Sequence, residues 1–294
     1  MRPTRLVAAA TVRLAEAGVP SARFDAEVLL AEALGIDRGR IPIADDATPQ
    51  QAAAYEALIA RRAAREPLQH VLGRAYFGPL TLAVGPGVFV PRPETELLAA
   101  WAAQQVSPGA DHIRPARSAP GAGIVDLCAG SGALGLYLAA TVPGSRVVLV
   151  ERDPAALDYL RRNAAAAPLA GTATVVEADV RDPDLPARLT GLLGTVDLVV
   201  TNPPYVPEGA DLDHEAAADP AAALFSGADG LDLIRDLAPL AARLLAAGGA
   251  VGVEHDDSNG AGTAEALRAA GFGGVAEHRD LAGRPRYVTG RMEP

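Results

Sequence analysis

Ile124-Val-Asp-Leu-Cys-Ala-Gly-Ser-Gly132 is the stretch whose reading decides the fold. A short apolar run reads as a strand, a glycine-containing turn follows, and Ala133–Ala140 reads as a helix. Gly130 and Gly132 permit a tight turn and close approach of a ligand to the backbone. The unpaired amides at the helix start favour an electronegative group there. Such a turn alone is equally compatible with a structural role. Downstream, strand and helix keep alternating. Arg146–Val150 is a strand, and Pro154–Ala167 is a helix with proline in its first turn. Ala173–Glu177 and Asp197–Thr201 are strands, and Leu231–Ala246 is a helix ending at Gly248-Gly249. Ala250–Glu254 is a strand, Ala261–Ala270 the last helix, and strands near Val275–His278 and Arg286–Thr289 complete the chain. Seven strands in repeated βαβ units predict a doubly wound, mostly parallel α/β sheet, whose ligands bind beyond the carboxyl ends of the strands.

Those ends carry the chemistry. The second strand ends in Glu151, whose carboxylate suits the two hydroxyls of a ribose some twenty residues after a glycine-rich turn. The third leads into Glu177-Ala-Asp179-Val180, where Asp179 suits an exocyclic adenine amine. Either acid taken singly also fits a solvated strand end; the ordered series favours a ligand. The fourth runs directly into Asn202-Pro203-Pro204-Tyr205. Two prolines remove two backbone donors, and the residue before a proline is held extended. The Asn202 side-chain carbonyl and the Pro203 backbone carbonyl are thereby presented as paired acceptors, matched to a planar –NH2 group. Tyr205 offers a flat face and a hydroxyl for the rest of that group. The alternative is a proline-stiffened loop. A Gly-Lys-Ser/Thr loop is absent, which argues against P-loop chemistry. No cluster has metal-ligand spacing, so no metal is expected.

The 294 residues carry 26 basic groups, all arginine, against 36 acids, for a net charge of −10. Residues 1–86 are near neutral and the remainder is strongly acidic. A duplex-DNA binder would show a basic footprint. The single cysteine, Cys128, rules out a disulfide framework or zinc ribbon and suggests a reducing compartment. No apolar run approaches the roughly 18 residues of a membrane span, and the N-terminus turns charged too soon for a signal peptide. Residues 4–66 read as three helices, the third near Thr48–Arg65. His70–Phe77, Gly78-Pro79 and Leu80–Val84 read as a β-hairpin. A helix runs from about Glu94 to Gln105, and 107–123 reads as a linker or insertion. The expected domains are helical 1–68, a hairpin connector 69–92 and a catalytic 93–294.

Together these features resemble a class I S-adenosylmethionine-dependent methyltransferase of the amino-methylating type. More narrowly, nearly the whole chain resembles the release factor glutamine methyltransferases, the PrmC/HemK family. The resemblance rests on Glu66-Pro-Leu-Gln-His-Val-Leu-Gly73 in the helical module, Phe89-Val-Pro-Arg-Pro-Glu-Thr-Glu96 after the hairpin, and Asn202-Pro-Pro-Tyr205. It implies a Rossmann-like sheet domain behind a helical substrate-recognition domain. It implies transfer of a methyl from S-adenosylmethionine to the glutamine amide of the Gly-Gly-Gln tip of a peptide chain release factor. The donor site would comprise Cys128, Ala129, Gly130, Ser131, Gly132, Glu151, Asp179, Val180 and Asn202. Asn202, Pro203, Pro204 and Tyr205 would be catalytic and hold the substrate amide, with Arg92 and Glu94 lining the substrate entrance. A cytoplasmic monomer that contacts neither nucleic acid nor membrane is expected. One departure is notable: the family more often has glycine where this chain has Cys128. Other readings are methylation of a ribosomal protein glutamine, adenine-N6 methylation of nucleic acid, and a non-catalytic release-factor binding module. His70 and His255 read as packing or surface residues, and acid-rich Glu208–Asp219 as a solvated cover.

Overall fold

The computed structural model describes residues 1–106, 121–212 and 214–293, so the linker expected at 107–123 lies outside the described residues apart from its last three. The chain forms two compact units: Met1–Arg74 with Leu212–Ala218, and Ala75–Asp211 with Asp219–Pro294.

In the first unit, α1 (Pro3–Glu16), α2 (Ala22–Leu34) and α3 (Pro49–Ala63) bury Leu14, Ala26, Leu29, Leu30 and Ile59 almost completely. Pro3 and Pro49 stand in first turns, where the missing N–H is no loss. Thr48 and Gln51 cap α3 reciprocally: the Thr48 hydroxyl accepts from the Gln51 amide at 3.2 Å, and the Gln51 side chain accepts from the Thr48 amide at 3.0 Å. A single helical turn, α4 (Leu68–Leu72), occupies the place where the hairpin was expected to begin; Gly73, at φ +70, ends it. His70 is buried in this turn, which settles its position as a packing residue.

One buried ion pair crosses this unit, from Arg62 Nε to Asp25 Oδ2 at 2.7 Å. Arg62 also reaches Glu215 at 3.0 Å, and Arg65 grips the same carboxylate through Nε at 2.8 Å. Arg65 foremost, then Arg62, hold the Glu215 carboxyl down to about 2 against the effect of partial burial. Asp219 is buried and paired with Arg92. The reading of 208–219 as a solvated cover is therefore wrong for these two acids, which are internal counter-ions.

The second unit opens, from Ala75, within the hairpin β1 (Arg74–Phe77) and β2 (Leu80–Ala83), turned at Gly78-Pro79, with Phe77, Leu80 and Leu82 buried. Helix α5 (Thr95–Val106) follows. Next come β3 (Gly123–Leu127), α6 (Ala133–Thr141), β4 (Arg146–Glu151), α7 (Pro154–Ala166), β5 (Thr172–Glu177), the turn α8 (Leu185–Arg188) and β6 (Val196–Thr201). The remainder is the turn α9 (Ala221–Leu224), α10 (Asp232–Leu244), β7 (Leu245–Glu254), α11 (Gly260–Ala269), β8 (Phe272–Arg279) and β9 (Pro285–Met292).

The seven-stranded sheet has the order β5-β4-β3-β6-β7-β9-β8. The five strands from β5 to β7 are parallel, and β9 is antiparallel to both neighbours. Successive strand residues face opposite cores. Ile124, Leu198 and Val200 pack with α5, α6 and α7, while Val125, Val199 and Val251 pack with α10 and α11. Helices on both faces explain why these strands are apolar throughout. The predicted Rossmann-like α/β sheet and helical N-terminal part are present. One boundary differs: α10 stops at Leu244, and Leu245 already pairs with Val196 in the sheet. Leu245 and Ala246 are buried there, so packing draws them into the strand, and Gly248-Gly249 lies within β7 at a register shift.

Helix α6 lies hard against the sheet because Gly135 has no side chain. A Cβ there would stand 2.2 Å from Leu149 Cδ2 and 3.0 Å from Asp126 Oδ2. Gly135→Ala is expected to destabilise the protein by about 1–3 kcal/mol through overpacking, read as a lowered urea midpoint with an unchanged slope.

Candidate active site

The parallel register brings five strand ends into one row. Leu127 lies level with Val150 and Thr201, Glu151 with Glu177, and Thr201 with Val253. The residues beyond, Asp179, Glu151, Cys128–Gly132, Asn202–Tyr205 and Glu254, share one edge of the sheet. The chain leaves the centre at β3, builds outward to β5 and returns to β6 on the other side. This is the switch point at which doubly wound sheets bind ligands.

Glu151 holds the turn. Its Oε2 accepts from the Gly130 amide at 2.8 Å, and its Oε1 from the amides of Arg152 at 2.7 Å and Asp153 at 2.8 Å. The carboxylate expected to receive a ribose thus first organises main chain, and only its remaining lone pairs are open to a ligand. Asp153 then caps α7, accepting from Ala155 at 2.8 Å and Ala156 at 3.2 Å. Asp179 pairs with Arg152 at 2.8 Å and accepts from the Arg181 amide at 2.9 Å. Partial burial works against its charge, but the Arg181 amide and Arg152 outweigh it and hold the carboxyl below its ordinary range. Val180 follows, half-buried.

Cys128 has φ +65, in the left-handed region where a side chain is strained and glycine is not. Backbone handedness, rather than thiol bulk, is what makes glycine the natural occupant. The half-buried thiol is pushed up by desolvation, then by the charges of Glu151 and Asp126, and so is not a nucleophile. Ala129 and Ser131 are buried in the turn, and Gly132 is the N-cap of α6. Around a Cβ at Gly130 there is open space. Asp126, 1% exposed, accepts from the Gly135 amide at 2.8 Å through Oδ2, while its Oδ1 has no partner among the described residues.

On the other side of the row, Asn202 Nδ2 donates to Thr95 Oγ1 at 3.4 Å. Its Oδ1 and the Pro203 carbonyl receive no hydrogen bond from the described residues. Pro203 is buried and Pro204 half-buried. The Tyr205 carbonyl accepts from Asn259 Nδ2 at 2.8 Å, and a parallel bridge joins Val206 to Phe225. The Tyr205 hydroxyl donates to Glu254 Oε1 at 3.2 Å. It is therefore engaged inside the protein, and only the ring is left for a ligand. Arg92 pairs with Asp219 and lies 5.1 Å from the Phe89 ring centroid. Glu94 is half-buried and acts on Glu254 through its charge. In the same segment Glu96 accepts from the Gly78 amide at 3.1 Å.

Thr95 and Glu254 were not foreseen. Glu254 could have been found by the rule that singled out Glu151, since it too ends a parallel strand. His255 is fully buried, its Nδ1 2.7 Å from the Asp256 carbonyl, in keeping with a packing role. Among the described residues no helix is long and apolar enough to cross a membrane.

The PrmC N-terminal domain family matches residues 5–73, and the methyltransferase small domain family matches 99–229. The release factor glutamine methyltransferase of Mycolicibacterium smegmatis is 54% identical over 286 residues, covering 96% of this chain and 95% of that one. The protein of the same name from Streptomyces coelicolor is 48% identical, covering 97% and 96%. That from Mycobacterium tuberculosis is 46% identical, covering 95% and 88%. Among solved structures, the Thermus thermophilus 16S rRNA N2 G1207 methyltransferase, in complex with AdoMet and guanosine, superposes with a TM-score of 0.50 at 24% identity. The match covers 75% of this chain and 50% of that one, a likeness of fold.

Burial above all, and then the charge of Glu151, push Asp126 up to about 8 against the Gly135 amide. The folded state keeps this proton until about pH 8, whereas an unfolded aspartate releases it near 4. Stability is thus present in full at low pH and declines as pH rises across that window. Asp126→Asn removes the titration, so its stability relative to wild type should rise steadily from pH 5 to pH 8 in urea unfolding of the ligand-free protein. A difference independent of pH would count against this assignment.

Proposed function

The chain belongs to the release factor glutamine methyltransferase family, and on that premise we propose that it methylates the side-chain amide nitrogen of the glutamine in the Gly-Gly-Gln tip of a class 1 peptide chain release factor, with S-adenosylmethionine as donor. The observation that carries this reading is the pair of unbonded acceptors beyond β6, Asn202 Oδ1 and the Pro203 carbonyl.

The row beyond β3, β4 and β5 fits the donor. Glu151 and Asp179 line it with negative charge suited to a sulfonium and an ammonium, and Asp126 Oδ1 is buried without a partner among the described residues. Gly130 leaves room beside the backbone, and the α6 amides face the same edge. Cys128–Gly132 and Glu151 would hold the amino-acid and ribose parts, and Asp179 with Val180 the adenine. When bound, S-adenosylmethionine supplies an electrophilic methyl on a sulfonium.

This chain's own residues do the rest. A glutamine amide nitrogen is a poor nucleophile because its lone pair is delocalised into the carbonyl. Asn202 Oδ1 and the Pro203 carbonyl accept its two hydrogens, fix the nitrogen in line with the methyl, and favour positive charge as it develops there. Pro204 keeps the two carbonyls rigid, and the ring of Tyr205 covers the flat face of the amide. The proton leaves after transfer, when the nitrogen is far more acidic. Arg92, braced by Asp219, and Glu94 line the substrate entrance, and the helical domain grips the release factor. The enzyme acts as a cytoplasmic monomer.

The test is tritiated-methyl transfer to purified release factor, to its Gly-Gly-Gln→Gly-Gly-Ala variant, and to nonspecific DNA, each as sole acceptor. Label on the first alone is expected. Label on DNA would replace the reading by adenine methylation, and label on the Gly-Gly-Ala variant would remove the glutamine as target. Asn202→Ala should lower transfer by about 100-fold or more, with far less change in calorimetric affinity for S-adenosylmethionine. Equal losses would make Asn202 a pocket support.

A further inference from the structure

Resting on the reading that Cys128–Gly132 hold the methyl donor, we propose that Asn163 of α7 is a positioning residue for that turn, fixing the Ser131–Gly132 peptide and tying it to the end of the hairpin at Ala83. Asn163 is 3% exposed and is the one polar residue in the buried stripe of its helix, with Ala156, Leu157 and Leu160. Its side chain bonds only to main chain. Oδ1 accepts from the Ala83 amide at 2.7 Å. Nδ2 donates to the Ala83 carbonyl at 3.1 Å and to the Ser131 carbonyl at 2.9 Å.

Ala83 decides which way the Asn163 amide lies. It ends β2 and offers both its N–H and its C=O, as the edge of a neighbouring strand would. The N–H needs an acceptor, so Oδ1 must face it. Nδ2 then spends one proton on the Ala83 carbonyl and has the other for Ser131. A turned-over amide would set –NH2 against an N–H and an oxygen against two carbonyls. The hairpin end thus assigns a donor to the turn, where an acceptor would repel it.

The turn needs that donor. The Ser131–Gly132 peptide is held at two points: its carbonyl by Asn163, and its N–H by the Ala129 carbonyl, to which it donates at 2.7 Å. Gly132 stands at φ +90, and with no Cβ it tolerates either sign of φ. With one of the two bonds removed, the peptide is free to rotate. Gly132 is also the N-cap of α6, so the direction of this peptide sets how that helix begins. The same face of α7 presses on the turn through Leu160, three residues before Asn163, whose Cδ1 would stand 2.7 Å from a Cβ at Gly132.

The experiment compares wild type, Asn163→Asp and Asn163→Leu by calorimetric affinity for S-adenosylmethionine, by steady-state methylation of release factor, and by urea unfolding. Asn163→Asp keeps the acceptor for Ala83 but turns an oxygen on Ser131; Asn163→Leu removes all three bonds at similar volume. Each should weaken binding of S-adenosylmethionine by about tenfold to a hundredfold. KM for S-adenosylmethionine should rise in step, with kcat at saturating donor and KM for release factor near wild type. Affinity and KM for the donor unchanged in either variant, with only a lowered urea midpoint, would overturn the inference and leave Asn163 a brace of the fold. If neither variant folds, hydrogen exchange in the wild type decides. S-adenosylmethionine should slow exchange of the Ala83 amide, because a turn ordered by the donor holds Asn163 in place; unchanged exchange there would overturn the inference. Failure of the wild type to bind S-adenosylmethionine would overturn the donor reading along with it. Donor binding that depends on Asn163, without transfer to release factor, would sustain the inference and overturn the glutamine reading alone.

Discussion

Three main-chain amides converge on the carboxylate of Glu151, and the ligand edge of the sheet is organised around that convergence. The acid is nearly buried at the end of β4 and joins the turn after β3, through Gly130, to its own following residues, Arg152 and Asp153. Hydrogen bonds to an ionised group are each worth about 1.5–3 kcal/mol, enough together to outweigh a strained residue in the same turn. Cys128 at φ +65 is that residue. The same pinning places Asp153 where it caps α7 and continues the sheet pairing past the strands, with the Ala129 amide bonded to the Val150 carbonyl and the Ala178 amide to that of Glu151. The edge is therefore rigid on the side proposed to hold the methyl donor.

The opposite side of the row is built differently. Proline removes donors there, so rigidity comes from anchoring what lies around Asn202-Pro-Pro-Tyr205. Tyr205 is held at its carbonyl by Asn259 and at its hydroxyl by Glu254, while Thr95 meets Asn202 from the start of α5. The Pro91–Glu96 segment also acts as a brace. Arg92 answers a buried carboxylate, Thr95 reaches the reactive loop, and Glu96 ties the hairpin turn at Gly78.

Much of this was legible in the order of residues because parallel strands are short, apolar and end at the ligand edge. Once a strand is recognised, the residue after it is a candidate site position; Glu151, Asp179 and Asn202 follow in that way, and the seven strands and the helical module were all foreseeable. What escaped depends on partners distant in sequence. Nothing near Glu254 announces that β7 lies beside β6, and a lone threonine at a helix start carries no spacing signal. The first turn of the expected hairpin is helical because Gly73 can end a helix as readily as it can open a strand. The strand starting at Leu245 was read as helix since its leucine and alanines suit either state, and pairing with Val196 decides. Glu215 and Asp219 look like surface acids until Arg62, Arg65 and Arg92 are seen opposite them.

The ion-paired carboxylate of Glu215 also imposes an order on biosynthesis. The helical unit is discontinuous, its last piece, Leu212–Ala218, being translated long after Arg74. During synthesis the first helices leave the ribosome with Arg62 answered by Asp25 alone, and Arg65 lacking Glu215. Domains tend to fold as they emerge, but this one lacks the Glu215 partner of Arg62 and Arg65 until β3 to β6 have been made. Maturation of the N-terminal module therefore waits on the chain that carries the reactive loop, so a truncated product ending before that loop never acquires the finished module.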